Sequence, residues 1–294
     1  MNERVIEIHG VTRRFGHQLA LKDIHLDVPR GSVFGLVGEN GAGKTTLIKH
    51  VLGLLKAQTG TVRVFAADPV GDPVAVLGRI GYLSEDRDLP DWMRVDELMS
   101  YSEAFYPRWD RGFAAELRRM FQLDGRQRIR ALSRGQRARA GLLVALAHRP
   151  DLLLLDEPSS GLDPVVRRDI LAAIVRTVAE EGRTVVFSSH LLDEVERVAD
   201  RVALIHAGEV LLCSTLEEII AAHRLITLHF AEPLAERPTS LPGAVHWAGS
   251  GHEWICLCNG QMETMRKAAA TAGAEVVDER PASLEEIYLG RVAA

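Results

Sequence analysis

The sequence predicts an α/β fold with a mixed β-sheet core, an inserted helical subdomain and a small α+β C-terminal domain. Three observations point there. Residues 33–37, 152–155 and 184–187 are short apolar runs, as expected of parallel strands buried on both faces. Residues 91–149 carry helical spacing and no strand signal. After Thr215 the pattern changes to short strands and helices.

Taken in order, Ile6 and Ile8 alternate with polar neighbours, as Ile24, Leu26 and Val28 do around His25 and Asp27. Both stretches read as half-buried antiparallel strands. The run 33–37 leads into a glycine loop and a helix expected to reach about Leu55. Helical spacing at 98–105 and 113–121 places the helical insert at about 86–150. Pro164 opens a further helix with Ile170, Leu171, Ile174, Val175 and Val178 on one face. Residues 202–205 and 210–213, joined through Ala207-Gly208, read as a hairpin. Beyond it come a strand at 225–230, a hairpin of 245–247 with 254–257, a helix at 262–272, a strand at 274–277 and a last helix. Three of the twelve prolines fall in 232–242, an irregular loop. Thr215 and Ser283 each precede a glutamate by three residues, the pattern of a capping box. The expected division is a domain of residues 1–214 and a smaller one of 215–294.

Composition narrows the function classes. The 294 residues carry a net charge of -5, with 47% apolar and 26% charged residues, which excludes a disordered or collagen-like chain. Three cysteines are too few for a disulfide framework, so a reducing compartment is expected. The longest apolar run, 140–147 with one glycine, falls short of the ~18 residues of a membrane span. The first residues lack the apolar stretch of a secretory signal. The expectation is a soluble intracellular protein.

Residues Gly38, Glu39, Asn40, Gly41, Ala42, Gly43, Lys44 and Thr45 fit the pattern G-x-x-x-x-G-K-[ST], after a predicted strand and before a predicted helix. Glycines let successive backbone N–H groups curl around phosphate oxygens, and the helix start adds a positive dipole end. These residues and Thr46 are the candidate nucleotide contacts. Lys44 is expected to reach the β- and γ-phosphates, and the Thr45 hydroxyl to hold Mg²⁺. Asp68-Pro-Val-Gly71 imitates one GTPase element, but no Asn-Lys-x-Asp motif accompanies it. A second motif stands at 152–158, where a leucine strand delivers Asp156 and Glu157 at its C-terminal end. Asp156 suits Mg²⁺ through water. Glu157 can polarise the water that attacks the γ-phosphate.

Upstream stands Leu132-Ser133-Arg134-Gly135-Gln136, followed by a helical run. With this signature, the phosphate loop, the strand-end acids and His190 in the same order, the chain resembles the ATP-binding cassette (ABC) family over about residues 1–214. The resemblance implies that two copies sandwich two ATP molecules. Ser133, Gly135 and Gln136 of one copy would then contact the γ-phosphate held by the other. It further implies that Phe15 stacks on adenine, that residues 160–163 communicate across the dimer and that His190 touches the γ-phosphate. Read alone, Phe15 could equally be a core residue.

Two positions depart from the family pattern. Arg134 stands where the signature has glycine, with Ser133 and Gly135 intact. Glu85 occupies the place of a glutamine that helps bind Mg²⁺ and relays nucleotide state, and a carboxylate also binds Mg²⁺.

By this resemblance the chain is an ATP-hydrolysing subunit that powers a separate transmembrane permease subunit, and it pairs with a second ATPase subunit. It would lie in the cytoplasm, peripheral on the inner face of the membrane. Residues 105–110 and 283–288 look like bacterial multidrug and antibiotic export cassettes. The alternative is a soluble cassette ATPase of translation or DNA repair, but a second cassette, long coiled coils and zinc modules are missing. The arginines between 126 and 139 have no interleaved aromatics in an acidic chain, so no nucleic acid is expected. Cys256, Cys258 and His252 are too few for a structural zinc. Trp92, Tyr101, Tyr106 and Trp109 read as core and docking surface.

Overall fold

Alternating apolar side chains make a hairpin of the first two strands, β1 (Arg4–Phe15) and β2 (Gln18–Pro29). A computed structural model describes residues 3–163, 165–168, 170–172, 182–238, 241–260 and 262–293. The chain divides into two compact units, Met1–Cys213 and Ser214–Ala294. In the first, β4 (Thr59–Val64) pairs with β1 to complete a three-stranded antiparallel sheet, order β2-β1-β4.

The second sheet of this unit has six strands in the order β5-β6-β7-β3-β8-β9. They are β5 (Ile80–Leu83), β6 (Leu152–Leu155), β7 (Thr184–Ser189), β3 (Val33–Val37), β8 (Arg201–His206) and β9 (Glu209–Thr215). The first five pair in parallel, and every residue of β3, β6 and β7 is buried. Ala207 and Gly208, both at positive φ, turn β8 into β9. Phe34, Leu36, Leu152, Leu154 and Val186 share one core with Leu47 and Ile48 of α1 (Lys44–Val51) and with Ile6, Ile8 and Leu26. Each such side chain contributes about 1.5–3 kcal/mol by leaving water.

A short α2 (Pro73–Leu77) precedes β5, and between β5 and β6 lie α3 (Val95–Glu103), α4 (Arg111–Met120) and α5 (Arg134–Ala147). Gly81 lets α5 approach β5 closely, because a Cβ there would strike the Ala145 carbonyl. The end of α5 is thereby held against the strand that leads to Glu85.

The structure corrects several expectations. α1 stops at Val51 rather than about Leu55, where Leu52 caps it and Gly53 takes φ 69. β4 and β5 were not foreseen as strands. β4 buries only Val64 and alternates weakly, while β5 is four residues long. Of the four aromatics expected as core and docking surface, Trp92 and Tyr101 are exposed and so are not core. Of the helix expected after Pro164, Ile170 and Leu171 are helical and Ile170 is buried. Pro164, Ile174, Val175 and Val178 lie outside the described residues.

In the second unit β10 (His223–Leu234) runs between β11 (Ala244–Asn259) and β12 (Ala274–Pro281). β11 folds back on itself near Gly249 and Gly251, closed by the Asn259 N–H on Gly243 O at 2.7 Å. Ile226, Leu228, Phe230, Trp254, Cys256 and Met265 form its core. Both expected capping boxes are present, at helices Leu216–Ala222 and Leu284–Val292.

Candidate functional site

The glycine loop joins the end of β3 to the start of α1. Gly41 and Gly43 take φ 84 and 111, and a Cβ on Gly43 would come within 2.7 Å of the Ala20 carbonyl. Gly43 is also the N-cap of α1 and offers no side-chain cap, so the first N–H groups of α1 face the loop without one. Lys44 folds back over the loop. Its Nζ donates to Gly38 O at 2.6 Å and Glu39 O at 3.1 Å, and lies 3.0 Å from Glu157 Oε1.

The two acids leave the end of β6 by different routes. Asp156 continues the strand, and its N–H donates to Leu83 O at 2.9 Å. Glu157 turns sharply, with φ 47, a left-handed conformation that costs a non-glycine residue of order 1 kcal/mol or more. Ser188 offsets that strain. Its Oγ accepts the Glu157 N–H at 2.8 Å and donates to Asp156 Oδ1 at 2.7 Å. His190 Nδ1–H donates to Glu157 Oε2 at 2.7 Å, a direction set by the carboxylate, which can only accept. Glu157 and Asp156 are both buried, and Asp156 Oδ2 has no hydrogen-bond partner in the protein.

A cleft of about 390 Å³ opens over the loop. Phe15, Asn40, Gly41, Gly43, Lys44, Thr45, Thr46, Glu85 and Glu157 line it, so sequence-predicted residues from four separate stretches meet there. Gln18 and Ala20 also line it, and nothing in their local sequence announces this. Phe15 is 43% exposed, with the Arg13 guanidinium 4.6 Å above its ring, so it is not a core residue. Gly38 and Ala42 are buried beneath the loop, while Glu39 is exposed outside the cleft lining.

The signature residues do not join this cleft. Ser133 caps α5, its Oγ accepting the Gln136 N–H at 3.2 Å while Gln136 Oε1 accepts the Ser133 N–H at 3.0 Å. Gly135 packs under Val166.

Negative charge accumulates beside the cleft. Burial, and then the charges of Asp156, Asp86 and Glu85, push the Tyr82 hydroxyl up to about 12. An oxygen-only donor set of Thr45, Asp156 and Glu85, with Asp156 Oδ2 unpartnered, fits a hard divalent cation such as Mg²⁺.

A glycine loop backed by a helix start and faced by strand-end acids belongs to the P-loop class of nucleotide-binding proteins. Residues 21–160 match the ABC transporter family. ABC transporter ATP-binding protein YtrB of Bacillus subtilis (strain 168) is 27% identical over 289 residues, covering 98% of each chain. Daunorubicin/doxorubicin resistance ATP-binding protein DrrA of Streptomyces peucetius is 36% identical over 248 residues, spanning 79% of this chain and 73% of DrrA. The dimeric structure of MJ0796, a bacterial ABC transporter cassette, matches with a TM-score of 0.65 at 25% identity, over 72% of this chain and 98% of that one. The chain belongs to the family of ABC transporter ATP-binding proteins. Among the described residues no helix is long and apolar enough to cross a membrane.

Proposed function

We propose that this chain hydrolyses ATP to drive export through a separate transmembrane permease, and that two copies close around two nucleotides. The observation that carries the reading is Glu157, with Lys44 3.0 Å from one carboxylate oxygen and His190 2.7 Å from the other, over an uncapped helix start. The drug-resistance name of DrrA supports the export direction, and the dimeric cassette supports the paired state.

In this reading Phe15 stacks on the adenine, and the backbone of 38–46 surrounds the phosphates. Lys44 turns from Glu157 to the β- and γ-phosphates. Glu157, released, takes a proton from the attacking water. His190 and, from the second copy, Ser133, Gly135 and Gln136 meet the γ-phosphate. Thr45, Asp156 and Glu85 would hold Mg²⁺, which when bound would supply charge neutralisation of the phosphates. An apolar groove of about 530 Å³, with Val74 and Phe105 exposed along it, serves as the surface for the permease. Residues 1–214 form the ATPase domain at the inner face of the membrane, and 215–294 a separate appendage.

The test is Glu157→Gln. It should bind ATP, lose hydrolysis and sediment as a dimer with Mg-ATP but as a monomer without nucleotide. Adding Ser133→Arg should abolish the dimer by filling the place of the γ-phosphate. Wild-type turnover in Glu157→Gln would refute its role as base. An ATP-loaded Glu157→Gln protein that stays monomeric at high concentration would refute a dimer that closes without the permease.

A further inference from the structure

Arg87 lies four residues beyond the end of β5 and two beyond Glu85, with φ 53 and only 3% exposure. A guanidinium so deeply buried is uncommon and needs partners of high quality. Its Nη2 donates to Ser160 O at 2.8 Å and to Pro158 O at 3.2 Å. Both carbonyls belong to the turn that follows Glu157. That turn is wound tightly, with the Ser160 N–H on Glu157 O at 3.1 Å and the Leu162 N–H on Ser159 O at 3.2 Å. A shift of the two carbonyls therefore displaces the backbone that aims Glu157. On its outer side the same turn is covered by Arg134, whose guanidinium any Cβ on Gly161 would strike. The turn sits between two arginines, one buried and one at the start of α5.

We propose that Arg87 is a positioning residue that locks the segment carrying Glu85 to the turn 158–161, so that a change at Glu85 moves Glu157. The idea rests on the function proposed above. Arg87 does not line the nucleotide cleft. Its planar fork can hold two carbonyls from one nitrogen while keeping its charge, a geometry that a lysine ammonium, a point charge on a flexible stem, does not reproduce. Arg134, one of the two departures from the family pattern, meets the same turn at Gly161, and Glu85, the other, lies two residues before the buried guanidinium that holds it.

The experiment compares wild type with Arg87→Met, Arg87→Lys, Glu85→Gln and the double variant Glu85→Gln/Arg87→Met. ATP hydrolysis gives kcat and KM, and hydrogen exchange follows the amides of 159–163 without nucleotide. Arg87→Met should lower kcat about ten- to hundredfold, because a small misplacement of a catalytic group is costly, with KM within about twofold. Arg87→Lys should recover part of kcat. The double variant should depart from additivity by more than about threefold, the mark of coupled residues. Exchange at Ser160 and Leu162 should quicken in Arg87→Met. Unchanged kcat, or additive effects with unchanged exchange, would overturn the proposal. If Arg87→Met does not fold, Arg87→Lys must still lower kcat at an unchanged melting temperature, and wild-type kcat in it would refute the idea. A wild type that binds but does not hydrolyse ATP would instead defeat the proposed function. The exchange at Ser160 and Leu162 would then decide the Arg87 tether by itself.

Discussion

Lys44 Nζ and Glu157 Oε1 stand 3.0 Å apart, with both side chains at most 5% exposed. The phosphate-loop lysine and the candidate base thus neutralise one another. Breaking a buried pair by removing one partner leaves an uncompensated charge in a poorly solvated place. On the proposed function, phosphate entering the loop would separate the two charges.

Lys44→Met should lose ATP binding, and it should also destabilise the nucleotide-free protein by about 3–5 kcal/mol. Adding Glu157→Gln should restore much of that stability, since the orphaned charge disappears. Urea denaturation of the two variants is the check. A Lys44→Met protein as stable as wild type would mean that the pair contributes nothing at rest.

Ser188→Ala should cost about 1–3 kcal/mol, because the Glu157 N–H and Asp156 Oδ1 both lose a buried partner. Turnover should fall further than ATP affinity, since Ser188 touches the acids and not the loop. Equal losses in both would place the defect in binding instead.

Phe15→Ala should weaken ATP binding by about 1–3 kcal/mol, the worth of one base stacked on an aromatic ring. Phe15→Trp should retain affinity. Titration with a fluorescent ATP analogue decides it, and unaltered affinity in the alanine variant would remove Phe15 from the site.

His148 gives a pH-dependent prediction. Burial pushes its pKa down to about 4, and its ring stacks on Tyr106 at 3.9 Å. Between pH 6.5 and 4 the unfolded chain takes up a proton that the folded chain refuses. The resulting stability is fully present above pH 6.5 and is lost as pH falls towards 4, by about 3 kcal/mol. His148→Gln carries no such proton, so its deficit relative to wild type should shrink on acidification. His50 and His223, also lowered chiefly by burial, act alike in both proteins and cancel. Parallel stability curves from pH 7 to 4.5 would contradict this account.

Motifs written in consecutive residues were legible early. The loop 38–45 and the strand ending in Asp156-Glu157 announce their chemistry because the backbone that cradles a phosphate is local. The same holds for the capping boxes at Thr215 and Ser283. Polar and very short strands were not legible: in β4 the residues Thr59, Thr61 and Arg63 are exposed, and β5 is too brief to show a period. Burial of Phe15 was undecidable for a similar reason, since a single aromatic has no period.

By itself the sequence determined which residues are candidates to bind phosphate, hold a cation and move a proton, because those capacities belong to side-chain type and local spacing. Tertiary structure alone decided which of them meet. The parallel register pairs Leu155 with Phe187, so the next residues, Asp156 and Ser188, arrive side by side although 32 positions apart. The same sheet carries Glu157 to Lys44 and His190, and the turn after it to Arg87. Parallel neighbours are joined by long crossovers, so no pattern within one stretch can record them.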